Sequence, residues 1–158
     1  MKVIIAGCHD VWDVKTCALY VRYWMMRLGF HGPTCPECSE QAGKTMPGGE
    51  GPCKHAILVS EVIHGGAHGI DAAARDWAIV HWVSTTAVRA NWDEHGPAAG
   101  PIRNAEMASI GDVLVAIWDG RSKGTRDMID QMCKVKKHAY VYIPPPLSAA
   151  QMGMGMML

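Results

Sequence analysis

Three glycine-bearing stretches of this 158-residue chain, two of which also carry hydroxyl, amide or guanidinium side chains, form a pattern that suits an anion. They are His64-Gly65-Gly66-Ala67-His68-Gly69-Ile70-Asp71, Gly100-Pro101-Ile102-Arg103-Asn104 and Asp119-Gly120-Arg121-Ser122-Lys123-Gly124-Thr125. Glycine permits positive φ and lets a phosphate approach the backbone. Ser122, Thr125 and Asn104 can donate side-chain hydrogen bonds, and Arg103 offers a planar, bidentate clamp. Any one of these stretches taken alone reads better as a plain tight turn, with Arg103 in a surface ion pair. Three of them, each due at the end of a strand, favour a phosphate-bearing ligand of the nucleotide class.

Asp71 has two readings. It can orient a ribose or act as a base, and an acidic residue in the first turn of a helix also complements the helix dipole. Trp92 and Trp118 can stack on a nucleobase or fill core beside a strand end.

A second kind of chemistry is suggested by Cys35-Pro36-Glu37-Cys38 and Cys53-Lys54-His55. Three thiolates and one imidazole complete a tetrahedral zinc site. The Gly- and Pro-rich stretch between the pairs has little apolar material, whereas zinc supplies roughly 10 kcal/mol or more to a small site. Four protein ligands leave no position for a substrate water, so the zinc reading is structural. Free thiols, or a disulfide formed on oxidation, are the alternative.

These residues need a frame that gathers strand ends. Strand-like apolar runs alternate with helical spacing, the pattern of βα units around a mostly parallel sheet. Strands are predicted at Val3 to Ala6, Ile57 to Ile63, Thr85 to Ala90, Val113 to Trp118 and Ala139 to Ile143. A first helix carries Val14, Cys17, Ala18, Val21, Met25 and Leu28 on one face, with Asp10 or Asp13 as its cap. Further helices are predicted over Ile70 to His81, Pro101 to Ile110 and Thr125 to Lys136. The fold class is therefore α/β and Rossmann-like, with about five mostly parallel strands flanked by helices. One domain spans residues 1–146, with a Cys-rich insertion at 30–55 that adds no core element, and a flexible Gly-Met tail covers 147–158.

Composition bounds the partners. Hydrophobic residues make up 49% of the chain, enough for one core. Fifteen basic residues balance fifteen acidic ones, which weighs against nucleic acid or an anionic membrane as partner. The apolar start is too short for a signal peptide and no run approaches the roughly 18 residues of a membrane span, so a cytoplasmic protein is expected. Cys8, Cys17 and Cys133 fall in expected core elements, as in a reducing compartment. A homo-oligomer is compatible with the sequence.

The order of the motifs resembles the YspA-type branch of the SLOG superfamily. The resemblance rests on residues 64–71, on Asn91-Trp92-Asp93-Glu94-His95-Gly96, on Ala99-Gly100-Pro101-Ile102-Arg103-Asn104-Ala105-Glu106-Met107, and on Trp118 through Met128. It covers nearly the whole chain outside 30–55 and the tail. It implies a Rossmann-like fold with a nucleotide or an ADP-ribose- or NAD-like ligand at Gly7, Cys8, His9, Gly65, Gly66, Gly69, Asp71, Arg103, Asn104, Ser122, Gly124 and Thr125. Related branches include the cytokinin-activating phosphoribohydrolases and the DNA-processing protein DprA. The hydrolases cleave a nucleoside monophosphate with an arginine, matched here by Arg103, and a glutamate three residues past the loop threonine. Met128 stands at that second position, and Asp127 and Asp71 are the nearest carboxylates. The first turn reads Gly7-Cys8-His9-Asp10 where relatives usually carry an arginine, and His9 would be a weaker, pH-dependent donor.

Overall fold

A computed structural model describes residues 1–9, 12–32 and 57–144. The expected zinc ligands Cys35, Cys38, Cys53 and His55, the alternative cap Asp10 and the tail at 147–158 lie outside the described residues.

The chain runs β1 (Lys2–Gly7), α1 (Val14–Arg27), β2 (Phe30–His31), β3 (Ile57–Leu58), β4 (Glu61–His64), α2 (Ile70–Val80) and β5 (Ser84–Ala87). It continues through the short α3 (Trp92–His95), a 3-10 turn (Gly96–Ala98), α4 (Ala99–Ile110), β6 (Val113–Ile117), α5 (Lys123–Lys134) and β7 (His138–Tyr142). Five strands form a parallel sheet in the order β5-β4-β1-β6-β7, and β2 and β3 form a separate parallel pair. This is the α/β, Rossmann-like architecture expected.

Alternation along β1 builds two cores. Val3 and Ile5 join residues of α1 and α2 on one face, while Ile4 and Ala6 join residues of α4 and α5 on the other. All five residues of β6 are buried, which is why that strand reads as an unbroken apolar run. Each fully buried Ile or Leu contributes about 2 kcal/mol of hydrophobic stabilisation.

Several local expectations change. The strand expected at Ile57 to Ile63 is two strands, because the segment changes neighbours at its middle. Val59 N–H donates to His31 O at 2.8 Å, and Ser60 N–H then donates to Met1 O at 2.9 Å. Phe30 and His31, expected to lie in a segment without core elements, form β2, and Phe30 is buried in the first core. The inner face of α1 is also rotated from the expected one. Cys17, Val21 and Met25 are buried and Leu28 packs against them as expected, but Val14 and Ala18 are exposed, and Tyr20 and Trp24 pack in their place. Aromatic edges decide this: Trp24 and Tyr142 have ring centroids 4.4 Å apart, and Trp12 meets Tyr20 at 5.3 Å. Asp13 is the cap, accepting from Thr16 N–H at 3.0 Å. Cys133, expected in the core, is exposed on α5.

The chain builds β1, β4 and β5 outward in one direction, then returns to the other side of β1 for β6 and β7. A crevice opens beyond the carboxyl ends of the strands at such a reversal.

Candidate functional site

That crevice is a cavity of about 740 Å³. Its wall contains Gly7, His9, Gly65, Gly66, Asp71, Arg103, Asn104, Ser122, Gly124 and Thr125 from the expected set, together with Asp127 and Met128. Cys8 and Gly69 are not on the wall. Cys8 is buried behind it, where its sulfur accepts from Asp119 N–H at 3.3 Å and burial, with the neighbouring Asp119, pushes the thiol up to about 11. At neutral pH it is a packed thiol rather than a nucleophile. Gly69 packs beneath the same turn, against the carbonyls of Cys8 and His9.

The β4–α2 turn is held by its own side chains. His64, 5% exposed, accepts from Gly66 N–H through Nδ1 at 3.1 Å, and Asp71, 6% exposed, accepts from Ala67 N–H at 3.2 Å. Two of the glycine turn's backbone donors are therefore engaged internally. Burial pushes the Asp71 carboxyl above its ordinary range, against the pull of the Ala67 N–H, the Arg103 charge, the Gly65 N–H and His9. Gly65 is glycine for a steric reason: a Cβ there would overlap the Arg103 guanidinium and stand 2.8 Å from Asp71 Oδ2.

Arg103 crosses from α4 into this turn. Its Nη1 donates to Gly65 O at 2.9 Å and its Nε donates to Asn104 Oδ1 at 2.9 Å. Buried Asn104 in turn donates to Gly124 O at 3.2 Å and Asp127 Oδ2 at 2.8 Å. Gln131 Nε2 donates to the other Asp127 oxygen at 3.2 Å. Arg103 and Asn104 thus brace the β4–α2 turn against the start of α5.

The β6–α5 turn is different. Asp119 Oδ1 accepts from the N–H groups of Arg121 and Ser122 at 2.9 and 2.8 Å, and Ser122 caps α5 through Thr125 N–H at 3.4 Å. The N–H groups of Lys123 and Gly124, in the helix's first turn, find no acceptor among the described residues and border the cavity. Together with the dipole of this 12-residue helix they attract an anion. Trp118 is not on the wall; its Nε1 donates to Ser122 O at 3.0 Å and fastens this turn. Trp92 is on the wall and 59% exposed, in α3.

Arg89, Lys123 and Met107 also line the cavity and were not singled out from the sequence. Lys123 lies inside the third glycine turn, where its cationic side chain is the available signal. Arg89 follows the edge strand β5 with no glycine motif beside it, so nothing local marked it. Among the described residues no group of three or more His, Cys, Asp or Glu side chains is placed to hold a metal ion. No described helix is long and apolar enough to cross a membrane.

His64 makes the turn sensitive to acid. Burial and the nearby Arg75 charge hold it below its ordinary value of 6.5. The unfolded chain then takes up this proton first, so the His64 contribution is complete above about pH 6.5 and is lost as pH falls toward the lower folded value. Thermal melts between pH 7.5 and 5 should show a decline, of up to about 1.4 kcal/mol per pH unit from this group, that is smaller in His64→Gln. Parallel pH profiles for the two proteins would contradict it.

In sequence, the chain is 45% identical over 74 residues to the Gene 61 protein of Mycobacterium phage D29, an alignment covering 41% of this chain and 57% of that protein. The chain thus spans little more than half of that relative's length. No family model matches the chain and no solved structure matches it.

Proposed function

We propose that this protein binds a nucleotide or nucleotide-derived ligand in the cavity above the strand ends, with a phosphate at the start of α5. The observation that carries the reading is the pair of open N–H groups of Lys123 and Gly124, bordering one cavity with Arg103, Asn104, Ser122 and Thr125. A volume near 740 Å³ is ample for such a ligand, since small-molecule sites run from about 300 to 1,000 Å³. Arg103 acts mainly by holding the two turns in register, and Ser122 and Thr125 shape the phosphate end.

The reading is of binding without cleavage. Breaking an N-glycosidic bond builds positive charge on the ribose, which needs a carboxylate against it. Met128, 1% exposed, occupies the position where a base-cleaving enzyme would carry glutamate. Asp127 already accepts from Asn104 and Gln131.

The test is calorimetry with AMP, ADP-ribose, NAD and cyclic nucleotides, coupled to chromatography for released base. At least one should bind, with no base released from AMP or CMP, and Lys123→Ala should weaken binding about tenfold by removing a charge-assisted contact. Binding by none of the panel would refute the proposal. Base release that disappears in both Arg103→Ala and Asp127→Asn would establish the hydrolase instead.

A further inference from the structure

We infer that the outward face of α1 is a docking site for an acidic amphipathic helix of a partner protein. The inference is independent of the nucleotide reading, because no residue of α1 lines the cavity.

α1 buries Cys17, Val21 and Met25, and a surface helix with one inward stripe ordinarily presents charged or polar residues on its other side. Here the other side is apolar at its centre. Leu19, Tyr23 and Met26 are 52%, 48% and 43% exposed, and their i, i+4, i+7 spacing sets them on a single stripe. Those are the positions through which one helix anchors on another. Lys15 and Arg27 continue the same i, i+4 row, one turn before Leu19 and one turn after Tyr23, so each end of the stripe carries a cation. Both are exposed, and no described carboxylate pairs with either. Arg22, one turn before Met26, adds a third positive charge.

Charge names the occupant. α1 holds three basic residues and no Asp or Glu, in a chain whose charges balance at fifteen of each sign. Asp13, just before the helix, is engaged in capping and accepts from Thr16 N–H at 3.0 Å and Thr16 Oγ1 at 2.7 Å. A second copy of the chain does not fit, since antiparallel α1 helices would set Lys15 beside Arg27 at both ends, and like charges facing each other suppress pairing. Three half-exposed side chains also fall far short of the roughly 800 Å² per partner of a standard stable interface, which suits one helix rather than a subunit. A bilayer holds a helix through a broad apolar face with bulky aromatics. α1 instead turns Trp24 inward onto Tyr142, with ring centroids 4.4 Å apart. The cations at positions 15 and 27 stand about 18 Å apart along the helix, so about three turns of a partner helix span them. Such a helix, apolar over Leu19, Tyr23 and Met26 and with carboxylates toward each end, matches both the stripe and its charges.

The experiment measures fluorescence anisotropy of two labelled synthetic peptides with the full chain. Each is about five helical turns long with leucine at i, i+3, i+4 and i+7, and one carries glutamate at the flanking positions where the other carries lysine. The glutamate peptide should bind at least about tenfold more tightly than the lysine peptide, by a margin that narrows as salt rises. Leu19→Glu should weaken the glutamate peptide about tenfold, and Arg27→Glu should weaken it while strengthening the lysine peptide. Both positions are exposed, so each variant should melt with the unaltered protein, and the comparison of peptides on the unaltered chain needs neither variant. Binding of neither peptide, equal binding of both, or a glutamate peptide that binds both variants as it binds the unaltered chain overturns the inference. So does binding to phosphatidylserine vesicles that Leu19→Glu abolishes, which would make the face a membrane contact. A dimer in sedimentation that the same variant dissociates overturns it as well, by making the face a subunit interface.

Discussion

Gly69→Ala is expected to lower stability by about 2–5 kcal/mol, a fall of roughly 5–15 °C in Tm for a chain of this size. Gly69 precedes α2 at φ 70° and ψ −124°, a conformation in which a side chain is strained wherever it points. Space compounds the cost. A Cβ there would stand 2.6 Å from Cys8 O, 2.7 Å from His9 O and 2.8 Å from His9 Cα. All three are backbone atoms, so no rotamer change relieves the contact. The β1 and β4 ends would have to separate, and they carry two sides of the cavity. Gly124→Ala is the matched control, because nothing lies within 4 Å of its Cβ position and alanine is the better helix former. It should be neutral or gain up to about 1 kcal/mol. Similar melting of Gly69→Ala and the unaltered protein would show that the close approach is not a constraint.

The contrast between those glycines marks how far the sequence could be read. A glycine-rich stretch signals that something comes close, but the same letters cover a backbone collision at 69, a guanidinium passing over 65 and open space at 124. The frame was more legible. β1 and β6 are near-continuous apolar runs because both of their faces are covered, and α2 shows its buried stripe of Ile70, Ala73, Ala74, Trp77 and Ala78 at helical spacing. β5 was blurred because Ser84-Thr85-Thr86-Ala87 is an edge strand with mostly exposed residues, and Val88, just beyond it, belongs to the core and extended the expected run to Ala90. The four residues of α3 are too few to establish a period.

Partners across the fold were the least legible part of the site. By its type and place Arg103 is a cation suited to a ligand, yet its bonds to Gly65 and Asn104 make it a brace, and only the tertiary structure brings residue 65 to residue 103. His64 carries no mark of its role in the sequence, since that role depends on neutral Nδ1 facing the N–H two residues on. Arg89 required the strand order, because only that order brings it to the same cavity as Lys123.

The brace makes a further demand on stability, through Asp71. Arg103→Ala should cost about 2–4 kcal/mol at pH 7, because Gly65 O and Asn104 Oδ1 lose a charged donor and the buried Asp71 loses a nearby cation. Burial already holds the folded carboxyl above its ordinary value of 3.8. A group shifted in that direction contributes stability below its unfolded value and loses it as pH rises through the folded one, so ionised Asp71 is a burden at neutral pH. Without the Arg103 charge the burden grows. Asp71→Asn removes it while an amide oxygen remains to accept from Ala67 N–H. In the unaltered background Asp71→Asn should therefore stay within about 1 kcal/mol of neutral, and in Arg103→Ala it should restore about 1–3 kcal/mol. Urea denaturation of the four proteins, at unchanged slope, measures the coupling directly. Additive losses in the double variant would show that Asp71 is held by the backbone alone, and would leave Arg103 with no electrostatic part in the turn.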